Sequence, residues 1–193
     1  MRLVCAVLAA LILLGSSADG LAQGATWAKK RVGVYDYTSA AWRPIVAATV
    51  AEFNAMLPAR APQLVYQAMG EAPCSQISTQ LHRGGITVCA TPSLPPAAEL
   101  GLTSFWVKQG RLSRVRISLS EASSLQVRYT TVCHEFMHAT TAIPDNYDAR
   151  PTTSCVWGTL SGPGSFDAHY VRKVYNNQDA GKKRGGKKHG GKH

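Results

Sequence analysis

The sequence predicts a single mixed α/β domain, and three observations predict it. Short runs rich in Val, Ile and Tyr alternate apolar and polar residues between Gly and Pro breaks. Two longer segments repeat apolar residues every three or four positions. The first of these lies between two strand-like runs, as a right-handed crossover in a partly parallel sheet requires. With 193 residues, 45% of them hydrophobic and 17% charged, the chain has room for one domain with a real core and not comfortably for two.

Each element has its own signal. Residues 29–39 set Val32 and Val34 against Tyr35 and Tyr37, the two sides of a strand. Residues 41–56 place Trp42, Ile45 or Val46, Thr49 or Val50, and Phe53 on one helical face, and Pro58 stops the helix. Strands follow at 62–69 and 84–92, then a proline-rich loop over 92–101. The segment 103–120 reads as a hairpin about Gln109-Gly110, with Leu112, Val115, Ile117 and Leu119 turned to the core. Residues 124–142 predict a long helix, capped by Ser123 or Ser124 and buried along Leu125, Tyr129, Val132, Phe136 and Ala139. A Pro, Gly, Asn and Asp-rich loop leads to a last helix over 167–177, with Asp167 as its cap.

The ends are of different character. Residues 1–22 have the positive start, short apolar run and small-residue end of a secretory signal peptide, with cleavage expected after Ala22. A domain over 23–180 follows, then a disordered basic tail over 181–193, "GKKRGGKKHGGKH". Of the formal charge of +10, six units sit in that tail. It reads as a solubility tail, a tether to polyanions or a weak metal-gathering segment. No further apolar run would hold the chain in a membrane, so a secreted or periplasmic monomer is expected. Loss of the leader leaves Cys74, Cys89, Cys133 and Cys155, an even set that reads as disulfides in an oxidising compartment. Three pairings are open, and Cys74 with Cys89 and Cys133 with Cys155 close the short local loops. A four-cysteine zinc knuckle would need C-x-x-C spacing, which is absent.

The chemistry concentrates in "CHEFMHATTAIPD", residues 133–145, which contains H-E-x-x-H. On a helix, His134 and His138 face one direction and can hold one Zn2+, with Glu135 beside them as general base. Zinc lowers the pKa of a bound water to about 7, which suits hydrolysis of a protein or peptide substrate. Two histidines do not complete the site. Every Glu (52, 71, 99, 121 and 135) lies at or before the motif, which excludes a downstream Glu as third ligand. Asp145, Asp148, Asp167, Asp179, His169 and the tail histidines remain, and only Asp145 sits where the chain leaving the helix can fold straight back. His169 is expected to pack in the final helix, His82 to lie on the surface, and Tyr147 and Tyr170 to be surface or core tyrosines or oxyanion donors.

Residues 133–175 resemble the catalytic segment of matrixin-like metzincins, especially small bacterial exported members. Those run C-H-E-x-G-H-x-x-G-x-x-H, then S-C-M, then an A-H-D-Y helix ending in I-Y; here stand "CHEFMHATTAIPD", "TSCVWG" and "FDAHYVRKVY". "RVGVYDYTSAAWRPIVAATVAEFN" is similar to the first strand and helix of such domains. The resemblance implies a twisted mixed sheet with an active-site helix and a C-terminal helix, and a secreted zinc endopeptidase. His134, His138 and Asp145 would be ligands and Glu135 the base. The chain departs from the family at Met137 and Thr141, each in place of a glycine, at Pro144 in place of the third histidine, and at Val156 in place of the methionine. These departures fit a second reading: a catalytically silent binding module held on an anionic surface by its basic tail.

Overall fold

The computed structural model describes residues 25–78, 82–95, 98, 100–143, 154–156 and 162–184, and within them the alternating runs are strands. The elements are β1 (Thr26–Trp27), β2 (Arg31–Asp36), α1 (Arg43–Met56), β3 (Gln63–Ala68), β4 (Ile86–Thr91), β5 (Gly101–Lys108), β6 (Arg111–Ser120), α2 (Leu125–Thr141) and α3 (Ser165–Arg184). Strands β3, β2, β4 and β6 lie side by side in parallel, and β5 runs antiparallel along β6. The fold is thus mixed α/β, as expected. β1 had no signal in the sequence reading: it is two residues long and pairs in parallel with Arg111 and Leu112 at the start of β6.

The core lies on one face of the sheet, beneath the helices. Val32 and Val34, Leu64, Ile86 and Val88, and Val115, Ile117 and Leu119 are all buried there, each worth about 1.5–3 kcal/mol of apolar burial. α1 turns Ile45, Val46, Val50 and Phe53 onto this face, as its spacing predicts, and the Phe53 ring meets Phe136 of α2 at 5.7 Å. On the opposite face a smaller cluster gathers Ile77 and Tyr37 about the Cys74–Cys89 disulfide.

The hairpin turn sits at Gln109-Gly110 as predicted, with φ of 51° and 70°. Two positive φ values in sequence match the twist of the flanking strands. Leu112 and Val115 stand three apart, so a regular strand cannot bury both. The strand resolves the conflict with a bulge: Trp106 pairs with Arg114 and Val107 with Leu112, which leaves Ser113 as the extra residue.

Three expectations are corrected in the helices. Ser124 occupies the N-cap of α2 but its side chain makes no capping bond. Tyr129 is 36% exposed instead of core, although its spacing sets it on the same helical stripe as buried Val132, Phe136 and Ala139. α3 begins at Ser165, so Asp167 lies inside the first turn, and the helix extends to Arg184, past the predicted tail boundary at 181. The leader and residues 185–193 fall outside the described residues. Among those described, no helix is long and apolar enough to cross a membrane.

Candidate metal centre

α2 brings His134 and His138 together one turn apart, as the i, i+4 spacing requires. Their rings meet edge-on at 4.6 Å, and the two Nε2 atoms are 2.9 Å apart. Each ring is fixed from behind. His134 Nδ1 lies 2.9 Å from the carbonyl oxygen of Val156, and His138 Nδ1 lies 2.5 Å from that of Ile143. A carbonyl can only accept, so each Nδ1 carries the proton and each Nε2 presents a lone pair. Two lone pairs facing at this distance repel unless a cation or a shared proton lies between them. A tetrahedral zinc with bonds of about 2.0–2.1 Å would set its two nitrogens about 3.3 Å apart, so the pair needs to open by only a few tenths of an ångström. The donor set therefore fits zinc, with backbone carbonyls orienting the imidazoles as metal-ligating histidines require.

Glu135 is 4% exposed, and its carboxylate is held against β5. Thr103 Oγ1 donates to its Oε2 at 2.6 Å and lies 3.2 Å from its backbone oxygen. Gly101 leaves room for it, since a Cβ there would lie 2.7 Å from Glu135 Oε1 and 2.9 Å from both Glu135 Cγ and Thr131 Cγ2. The sequence reading missed Thr103 and Gly101. Strand alternation turns residues 101, 103 and 105 to the core face, but which helical residue they meet is set by how α2 lies on β5 and β6.

The end of α2 is tied down at three of its last four carbonyls. Trp27 Nε1 donates to Ala139 O at 2.9 Å, the Tyr175 hydroxyl to Thr140 O at 3.0 Å, and Ala142 N to His138 O at 2.8 Å. These are the carbonyls a helix leaves without internal partners. Thr141 stays helical, and its hydroxyl bonds back to Met137 O at 2.7 Å. The chain turns one residue later, at Ala142, with φ 48° and ψ 38°. Burial raises the Tyr175 hydroxyl pKa above its ordinary value, which keeps it a donor.

The Cys133–Cys155 disulfide joins α2 to the segment that carries Val156, as the pairing preference expected. Val156 is buried, and its carbonyl serves His134. Asp167 is wholly buried beneath this segment. Its carboxylate accepts from Ser154 Oγ at 2.5 Å, Cys155 N at 3.0 Å and Gly164 N at 2.8 Å. The bond to Gly164 is the back half of a capping box, three residues into the helix. Asp167 thus holds the Ser154–Val156 segment, with its carboxylate engaged by these three donors.

Asp145, Asp148 and Tyr147 lie outside the described residues. Among those described, no group of three His, Cys, Asp or Glu side chains gathers as a metal site. His169, expected to pack in the last helix, is exposed. Tyr170 is buried, with its ring 6.1 Å from Phe166. His82, expected on the surface, is half-buried: its ring stacks on Tyr35 at 3.7 Å and its Nε2 lies 2.6 Å from the Tyr37 hydroxyl. No protein-family model, curated protein or solved structure matches the chain.

Proposed function

We propose that this chain is an exported zinc-dependent endopeptidase of metzincin type. The observation that carries the reading is the facing pair of Nε2 lone pairs on His134 and His138, each fixed by a carbonyl bond at Nδ1. His134, His138 and Asp145 would hold the ion, and the two disulfides suit an oxidising compartment. Zinc, when bound, supplies a Lewis acid for the peptide carbonyl and acidifies the attacking water. Glu135 would take the proton from the attacking water and return it to the leaving amine. Its near-complete burial and its bond to Thr103 hold the carboxylate in one orientation for both transfers.

The chain's own residues divide the work. Val156 and Ile143 keep the imidazoles in the tautomer that ligates, and the Cys133–Cys155 bridge keeps the Val156 carbonyl within reach of α2. β5 pairs with β6 and carries the contacts to Glu135, so it is the strand beside which a peptide would lie. Elemental analysis of the wild type and of Asp145→Ala is the direct test. One zinc per chain in the wild type, lost in the variant, is expected. Glu135→Gln should retain zinc and lose peptide hydrolysis by about 10²–10⁴-fold. Unchanged behaviour of that variant in every assay would overturn the reading, and a wild type with neither zinc nor hydrolysis would favour the silent binding module.

A further inference from the structure

The face of the β5–β6 hairpin turned away from α2 is densely cationic. Gly101, Thr103 and Phe105 face the core side, so Ser104, Trp106 and Lys108 face outward. Their partners across the hairpin are Arg116, Arg114 and Arg111 in turn. Arg111 leaves this face, because its Nη1 donates to the buried Thr26 hydroxyl of β1 at 2.8 Å. Arg114 and Arg116 stand two apart on one face of β6. Burial, and then the charge of Arg114, lower the Arg116 pKa, which marks the two guanidinium groups as close neighbours. No Asp or Glu occurs in β4, β5 or β6, and Glu71 and Glu121 stand just outside them.

The rim adds to the charge. Gly84 N donates to Ser113 O at 2.7 Å, which sets exposed Arg83 beside the bulge, and the Lys29 ammonium lies over Gly84, 3.5 Å from its carbonyl. The central cations are also oriented. The Arg114 guanidinium carbon sits 3.8 Å above the Trp106 ring, and Arg116 Nη2 donates to Ile77 O at 2.7 Å. Planar guanidinium groups held in place match the paired oxygens of carboxylates and sulfates. Along the hairpin the cations from Lys108 to Arg116, the partner of Ser104, span about 14 Å at strand spacing, the reach of a few sugar units in an extended chain.

We propose that this hairpin face binds an anionic polysaccharide carrying uronate or sulfate groups. The charge calls for a linear polyanion, and the two disulfides place the protein where such polymers, rather than nucleic acids, are resident. The site is separate from α2 and does not depend on the peptidase reading. It is also separate from the basic tail, which is the competing location for the same chemistry.

The test uses fluorescently labelled heparin as the sulfated probe and oligothymidylate as the nucleic-acid control, with the full mature chain. Lys108→Gln/Arg114→Gln should weaken heparin binding about tenfold at low salt and flatten its salt dependence. The matched pair Arg172→Gln/Lys173→Gln, on exposed positions of α3, should change it less than about threefold. Lys108→Gln alone, at an exposed site beside the turn, should give an intermediate loss if the double variant folds poorly. Equal losses from both pairs would mean that net charge alone binds. Full binding by Lys108→Gln/Arg114→Gln with loss on removal of residues 185–193 would assign the polyanion to the tail. Tighter, equally sensitive binding of oligothymidylate would assign the face to nucleic acid. Each of these three results overturns the proposal.

Discussion

Gly101 and Glu135 show how small the tolerances at the candidate centre are. The carboxylate fits against β5 because position 101 has no Cβ, and a methyl group there would meet Glu135 and Thr131 at under 3.0 Å. Gly101→Ala must therefore displace the Glu135 side chain or lift β5. The expected outcome is a fall in kcat/KM of about 10²-fold with zinc content unchanged, since the imidazoles are not touched. Zinc loss together with activity would mean that the contact supports the helix and not the base. His82 gives a second prediction at this scale. Burial lowers its pKa, so the folded state binds a proton less readily than the unfolded chain. Stability from this group is present above about pH 6.5 and is lost as pH falls toward the depressed folded pKa. Urea unfolding between pH 5 and 8 should show His82→Phe losing less stability on acidification than the wild type. Tyr66 is buried in a different way: burial and its bond to Asp36 push its pKa up to about 12, so it stays a neutral donor across that range.

At the scale of elements, the short and irregular pieces hold the regular ones in working order. β1 is only two residues long, yet Trp27 satisfies a carbonyl at the end of the histidine-bearing helix. The Ser154–Val156 segment is bonded to α2 through a disulfide and to α3 through Asp167. Removing the Asp167 carboxylate leaves two backbone N–H groups and a hydroxyl without their buried acceptor. Asp167→Ala should cost about 3 kcal/mol in urea unfolding, and weaken zinc binding about 10–100-fold by freeing the Val156 carbonyl from its place behind His134. Retention of full zinc affinity would show that the disulfide alone positions that carbonyl.

For the molecule as a whole, the metal reading makes a thermodynamic claim. An ion that binds the folded chain and not the unfolded one stabilises it by mass action. Free zinc at a hundred times its Kd should add about 2.7 kcal/mol, read as a rise in Tm that His134→Ala/His138→Ala abolishes. An unchanged Tm on zinc addition would count against a native metal site. The sheet divides the molecule into a helix-covered face that carries this chemistry and an opposite face crossed by the Cys74–Cys89 region and the cationic hairpin. The two faces can thus be tested independently.

Much of this was legible in the chain alone. Period-two and helical spacing located β2, α1, β3, β4, the hairpin and α2, because apolar periodicity records which side of an element meets the core. The histidine pair was legible for the same reason, since i, i+4 on a helix is a statement of direction. Local loop length indicated both disulfides. The sequence could not reveal β1, whose role depends on a helix end more than a hundred residues away, nor that Thr103 and Gly101 meet Glu135. Nor could it show that Tyr129 faces out, that His82 stacks on Tyr35, or that Asp167 bonds the Cys155 segment. Those facts concern what lies opposite each element. Periodicity gives the direction in which a side chain points, and only tertiary packing decides what it meets there.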